Sequence, residues 1–258
     1  MAVAQFAPVG NFCWPELATT DSTAAKVFYG ALFGWSSYDV PTAAGFYTIF
    51  QVDGLDAAAA YQMGPQQTAP PHWNSYVVVA SADATCAEAE TLGAHILMAP
   101  FDIPNVGRMA FLRDPGGASI ALWQSGEHHG AGVFDRPGAL CWTELKTRDT
   151  EQAAAFYTAL FGWRAVPQAD FGMPYTMFYQ GEEPVGGMMG MEGTNWANVP
   201  SAWMPYIVVP DVEAVAGVAI AHGGRLLVPP TEIPTAGRFA MVKDRQGAAI
   251  SFIQLAEG

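Results

Sequence analysis

Basic residues are scarce in this sequence. Eleven Lys and Arg stand against 24 Asp and Glu, leaving a formal net charge of −13. Nucleic acid and anionic membrane surfaces are thereby disfavoured as partners, because neutralising phosphates needs clustered cations. Cysteine is scarce too. Cys13, Cys86 and Cys141 are odd in number and form no CxxC pair, which argues against both a disulfide framework and a zinc ribbon. Reduced thiols suit the cytoplasm. The N-terminal stretch MAVAQFAPVGNFCW has no Lys or Arg ahead of its apolar residues, so it does not read as a secretory signal. No apolar run reaches the roughly 20 residues that span a bilayer. No Ser-His-Asp set, phosphate-cradling loop or dinucleotide fingerprint is present. The five histidines, His72, His95, His128, His129 and His222, recur at no repeated position. His128 and His129 read as solvated, and His72, just before a strand, is the one retained as a weak site candidate.

What the sequence has is apolar content, 51%, and a repeat. FCWPELATTDSTAAKVFYGALFGW begins at Phe12, and LCWTELKTRDTEQAAAFYTALFGW begins at Leu140, an offset of 128. A second block begins at Trp73 and again at Trp203, an offset of 130. Register kept over such lengths means tandem duplication. The expected modules are residues 8–126 and 136–256, joined by the Gly-rich seam SGEHHGAGVFDRPG, Ser125 to Gly138.

Within a module, Phe12–Ala18 reads as a strand. Asp21 stands at a helix N-cap, the helix carries its apolar residues at helical spacing, and Gly34 ends it. Further strands are expected at 46–52, 55–63, 76–79, 94–98, 107–113 and 118–124, with a second helix over 83–92 and a turn at Asp114-Pro115-Gly116-Gly117. The class is α+β, built as two tandem βαβββ-type modules.

Two stretches, WPELATTDSTAAKVFYGALFGW and GRMAFLRDPGGASIAL, with their second copies, resemble the glyoxalase, bleomycin-resistance and extradiol-dioxygenase superfamily, the vicinal oxygen chelate proteins. The nearest likeness is to tandem glyoxalase-like members related to lactoylglutathione lyase or to hydroxylases. The resemblance covers nearly the whole chain. It implies modules pairing into a curved sheet around a cup, usually with a metal held by a His near the start of the first strand and a Glu on the last. Mapped residue by residue, the His positions fall on Trp14 and Trp142, and the Glu positions on Ala121 and Ser251. The resemblance therefore implies a fold without its usual metal site. No cofactor is expected, although a divalent metal held by other ligands stays open.

Side chains alternate along a strand, so Trp14 and Glu16 share a face while Cys13 and Leu17 share the other. If Trp14 faces the cup, Glu16 and its counterpart Glu144 do so as well. Together in one cavity, they would offer a general base or replacement metal ligands. The blander reading is that each carboxylate only accepts local hydrogen bonds. Trp14 and Trp142 would stack a flat ligand or simply fill the space of a metal site. Tyr47 and Tyr175 would present phenols to the cup. Arg108 and Arg238 would bind a ligand carboxylate in bidentate fashion, or pair with Asp114 and Asp244. The expected function is metal-independent binding of a small aromatic or cationic molecule, by a monomer or homodimer. The alternatives are an enzyme using Glu16 and Glu144, and an interaction protein with a degenerate site.

Overall fold

The computed structural model describes residues 4–43, 45–169 and 171–256. The first module runs β1 (Phe12–Thr19), α1 (Ser22–Phe33), β2 (Ser36–Thr42), β3 (Gly45–Val52), β4 (Leu55–Gln62), β5 (His72–Val78), α2 (Ala82–Thr91), β6 (His95–Ile103), β7 (Gly107–Arg113) and β8 (Ser119–Ser125). The second repeats it as β9 (Leu140–Thr147), α3 (Thr150–Phe161), β10 (Arg164–Gln168), β11 (Tyr175–Gln180), β12 (Glu183–Gly190), β13 (Ala202–Val208), α4 (Val212–Ala221), β14 (Arg225–Ile233), β15 (Gly237–Lys243) and β16 (Ala249–Leu255). The α+β class and the tandem modules are as the repeat implied. Each module in fact holds the βαβββ motif twice and closes its own eight-stranded sheet. The strand orders are β2-β3-β4-β1-β5-β8-β7-β6 and β10-β11-β12-β9-β13-β16-β15-β14.

The helix limits follow from the caps. Asp21 and Asp149 accept backbone N–H groups from Ala24 and Gln152, each at 2.9 Å, and Gly34 and Gly162 end their helices at φ 70°. The strands β2 and β10 were not anticipated. Every residue of β2 is exposed at the sheet edge, so no apolar alternation marks it.

One face of each sheet carries the helices, and these two faces share a single apolar core. Leu17, Phe28, Phe33, Leu122, Leu145, Phe156 and Phe252 all belong to it. Two matched relays cross between modules. Trp203 donates to the Tyr157 hydroxyl (2.8 Å), which donates to Asp114 (2.7 Å); Trp73 donates to the Tyr29 hydroxyl (3.2 Å), which donates to Asp244 (2.8 Å). The indole N–H groups of Trp35 and Trp163 reach Gly138 O and Gly10 O across the same boundary.

Candidate functional site

The site builds on β1 and β9, the central strand of each sheet. Register fixes what faces what. Trp14 lies opposite Tyr76, and Tyr76 lies beside Ala121. Trp14, Tyr76, Ala121, Met109 and Trp123 form a second cluster on the face away from the helices, the face expected to line the cup. Cys13 joins them, contrary to the strict alternation expected of it. The β1–β5 register shifts between Phe12 and Trp14, and this bulge turns two successive side chains to one side.

Glu16 is buried, 5% exposed, and three donors converge on its carboxylate: Tyr47 (2.7 Å), Tyr76 (2.8 Å) and Asn74 (3.2 Å). Trp14 donates in turn to the Tyr47 hydroxyl at 3.0 Å. Burial pushes the Glu16 carboxyl above its ordinary value, against the three hydrogen bonds and the His72 charge, which pull it down. Tyr47 and Tyr76 are raised well above theirs, first by burial and then by the Glu16 charge.

That direction carries a stability prediction. A carboxyl whose folded pKa exceeds its unfolded one stabilises most below the unfolded value and loses that contribution as pH rises through the folded value. Wild-type protein should therefore gain stability relative to Glu16→Gln as pH falls from neutrality, by urea unfolding at matched ionic strength. The opposite slope would mean that the three donors hold the ionised form in preference.

The second module reuses this frame, with Met204 where the first has Asn74. Tyr206 donates to Glu144 at 3.0 Å, and Trp142 donates to the Tyr175 hydroxyl at 2.8 Å. The Tyr175 hydroxyl lies where a Cβ on Gly187 would collide with it, so glycine is what admits the ring there. Lys146 sits 3.7 Å from Glu144, and both side chains are less than a tenth exposed. Burial lowers the Lys146 pKa, with the Glu144 charge opposing. Buried without a hydrogen-bond partner is the Ser251 hydroxyl, whose backbone pairs with Tyr206.

Tyr47 and Tyr175, at equivalent strand positions, stand beside Trp14 and Trp142. The pairing of Glu16 with Glu144 does not hold: each carboxylate lies in its own sheet with donors from that sheet. Arg108 and Arg238 are corrected too. Met109 faces the cup, so Arg108 faces the helices, where it grips Asp83 on α2 (2.8 Å) and Asp102 (2.9 Å). Arg238 does the same with Glu213 and Glu232. Neither reaches Asp114 or Asp244, whose partners are Tyr157 and Tyr29. His128 is not solvated. Its ring meets Trp14 edge-on at 4.9 Å, and its Nε2 is buried.

The residues present do not fit the divalent metal that such a cup usually holds. In the first module indole and methyl side chains offer it no usable lone pair and the Glu16 oxygens already accept three hydrogen bonds; in the second, Ser251 is only a weak neutral donor and Lys146 stands 3.7 Å from Glu144. Among the described residues no group of three or more His, Cys, Asp or Glu is gathered for one.

Sequence reasoning missed a cavity of about 450 Å³ beside Trp142. Phe6, Phe12, Phe134 and Trp142 supply its aromatic wall, Asp135 and Glu183 its carboxylates, and among the described residues no Lys or Arg lines it. Burial raises the Asp135 pKa. Trp142 is half-buried here, whereas Trp14 is covered. The position of Trp142 in the repeat was the only signal available beforehand. Among the described residues no helix is long and apolar enough to cross a membrane.

Comparison with known proteins gives the same frame. Residues 11–122 and 139–252 match the family model described as Glyoxalase/Bleomycin resistance protein/Dioxygenase superfamily. The chain is 39% identical over 248 residues to "Putative glyoxylase CFP32" of Mycobacterium tuberculosis (strain CDC 1551 / Oshkosh), covering 93% of each. It is 34% identical over 270 residues to "Anthracycline biosynthesis protein DnrV" of Streptomyces peucetius, covering 98% of this chain and 96% of that one. Among solved structures, the Mn(II)-bound glyoxalase from Novosphingobium aromaticivorans superposes with TM-score 0.66 at 14% identity, over 96% of this chain and 83% of that one. The 2,3-dioxygenase LapB from Pseudomonas sp. KL28 gives 0.65 at 11%, over 98% and 94%. At such identities these two show the fold alone.

Proposed function

Because the chain belongs to the glyoxalase/bleomycin resistance protein/dioxygenase superfamily, we propose that it binds a small aromatic, cationic molecule without the metal ion usual in that fold. The observation that carries this is the wall beside Trp142: four aromatic residues and two carboxylates, with no cationic side chain among the described residues. Aromatic faces attract a cation through their quadrupole, and the carboxylates add charge. The names of the Streptomyces relatives, from anthracycline biosynthesis, favour a small organic ligand over a macromolecule.

Titration with proflavine, a planar aromatic cation, and with an anthracenesulfonate tests this, read by tryptophan fluorescence and equilibrium dialysis. Saturable binding of the cation is expected, and Trp142→Ala should weaken it about tenfold, the scale of one aromatic stacking contact. Tighter binding of the anion, or no saturable binding of either, would overturn the reading.

One observation favours a second reading, an enzyme of the same superfamily with Glu16 as base: burial holds its carboxyl on the high side, the direction a base working near neutrality needs. Metal analysis of untagged protein and of Glu16→Gln/Glu144→Gln bears on its metal-dependent form. Stoichiometric metal that disappears in the variant would favour that form, with the carboxylates as replacement ligands. Wild-type protein without metal would remove it.

A further inference from the structure

The two modules differ where their sheets split. β1 and β4 are zipped only from Glu16↔Ala59 to Thr19↔Gln62, and β9 and β12 only from Glu144↔Gly187 to Thr147↔Gly190. Ahead of those points each strand pair diverges and opens a wedge. In the first module the seam between modules fills it. Ala131 N donates to Cys13 O and Gly132 N to Asp56 O, both at 2.8 Å, so the segment bonds to both parted strands. Ala131 is fully buried in the Trp14 cluster, and Val133 packs with Ala57. The approach is as close as glycine permits: Gly130 lies at φ 91°, and a Cβ there would stand 2.7 Å from Cys13 O. His128 then closes over Trp14.

The second module shows the same wedge without that filling. The residues that the seam touches in module one, Cys13, Leu55, Asp56 and Ala57, have counterparts 128 positions later: Cys141, Glu183, Pro184 and Val185. All four line the cavity beside Trp142. Among the described residues nothing occupies it.

We infer that the duplicated sites have diverged, so that the wedge of module one is sealed by the chain's own seam and the wedge of module two is the single ligand site. This rests on the binding proposed above and adds its location, its stoichiometry and its charge anchor. Asp135 supplies the anchor. It borders the cavity, and among the described residues no cationic side chain pairs with it. A bound cation would take that place.

Equilibrium dialysis with proflavine tests the inference on the full chain. One proflavine per chain is expected. Asp135→Asn, which keeps a residue tolerant of that position's φ of 56°, should weaken binding about tenfold. Pro184→Trp, an exposed position that fills the cavity, should abolish it. Thermal unfolding of each variant separates a lost site from a lost fold, and Asp135→Asn stands as the test should Pro184→Trp not fold. Two equivalent sites per chain, or binding indifferent to both Asp135→Asn and Pro184→Trp, would overturn the inference and leave the binding proposal standing. Absence of saturable binding would overturn the binding proposal and the inference with it.

Discussion

Asp114→Ala is expected to destabilise the chain by about 3–5 kcal/mol, because it strands two buried donors at once. Asp114 is 4% exposed, and one carboxylate oxygen accepts the Tyr157 hydroxyl while the other accepts Ala118 N at 2.8 Å. Each unsatisfied buried donor costs roughly 1–3 kcal/mol, and alanine satisfies neither. Tyr157 comes from the other module, so the loss falls on the boundary as well as on the turn. Burial raises the Asp114 carboxyl above its ordinary value, which means that its charge is itself partly penalised. Asp114→Asn keeps one acceptor oxygen and turns an NH2 toward the other donor, so it should cost less than alanine, about 1–3 kcal/mol. Urea unfolding of both variants and of Asp244→Ala reads the difference. If Asp114→Ala costs under about 1 kcal/mol, the crossing relay contributes little to holding the modules together.

These relays explain why duplication was easier to read than assembly. The repeated FYxALFGW places Tyr29 and Tyr157 in register, and helical spacing marks both as core. Nothing in a single sequence says that each tyrosine serves the aspartate of the opposite module. The same gap misplaced Arg108 and Arg238. A Gly-Arg pair at a strand start leaves the facing open, and only the register of β7, with Met109 turned to the cup, sends the guanidinium toward α2. The edge strand β2 escaped notice because solvent, not a core, meets its side chains, and the five-residue β10, only half-buried, is too short to show a clear alternation.

For the site, alternation along β1 was informative from Trp14 onward and failed just before it. The bulge adds one residue, so Cys13 turns to the side of Trp14 while Glu16 keeps its place in the cup. Composition hid the most consequential feature. The stretch HHGAG has the small and polar residues of a solvated linker, yet Gly130 is what lets it lie against Cys13 O, where a Cβ at that position would clash. A repeat comparison shows that Trp14 and Trp142 are equivalent. It does not show that the chain covers one of them and leaves the other at a cavity wall.

Trp163→Ala should cost about 3–5 kcal/mol, the usual range for emptying a large buried aromatic site. Trp163 is 1% exposed, and its ring centroid lies 4.8 Å from Phe161, 5.3 Å from Phe178, 5.7 Å from Phe12 and 5.8 Å from Tyr157. Phe12 comes from the other module, as does Gly10 O, which accepts the indole N–H at 2.8 Å. Trp163→Phe keeps much of the packing and strands only that carbonyl, so it should cost about 1–2 kcal/mol. The consequence should also reach the cavity, because Phe12 forms part of its wall and Gly10 follows the segment of Gln5 to Pro8 that forms another part. Proflavine affinity should therefore fall in Trp163→Phe even where the fold persists. Trp35→Phe, which loses the matching bond to Gly138 O, should cost similar stability and leave affinity nearly unchanged. Equal losses of affinity in both variants would mean that the two modules respond as one body, with no preference for the second wedge.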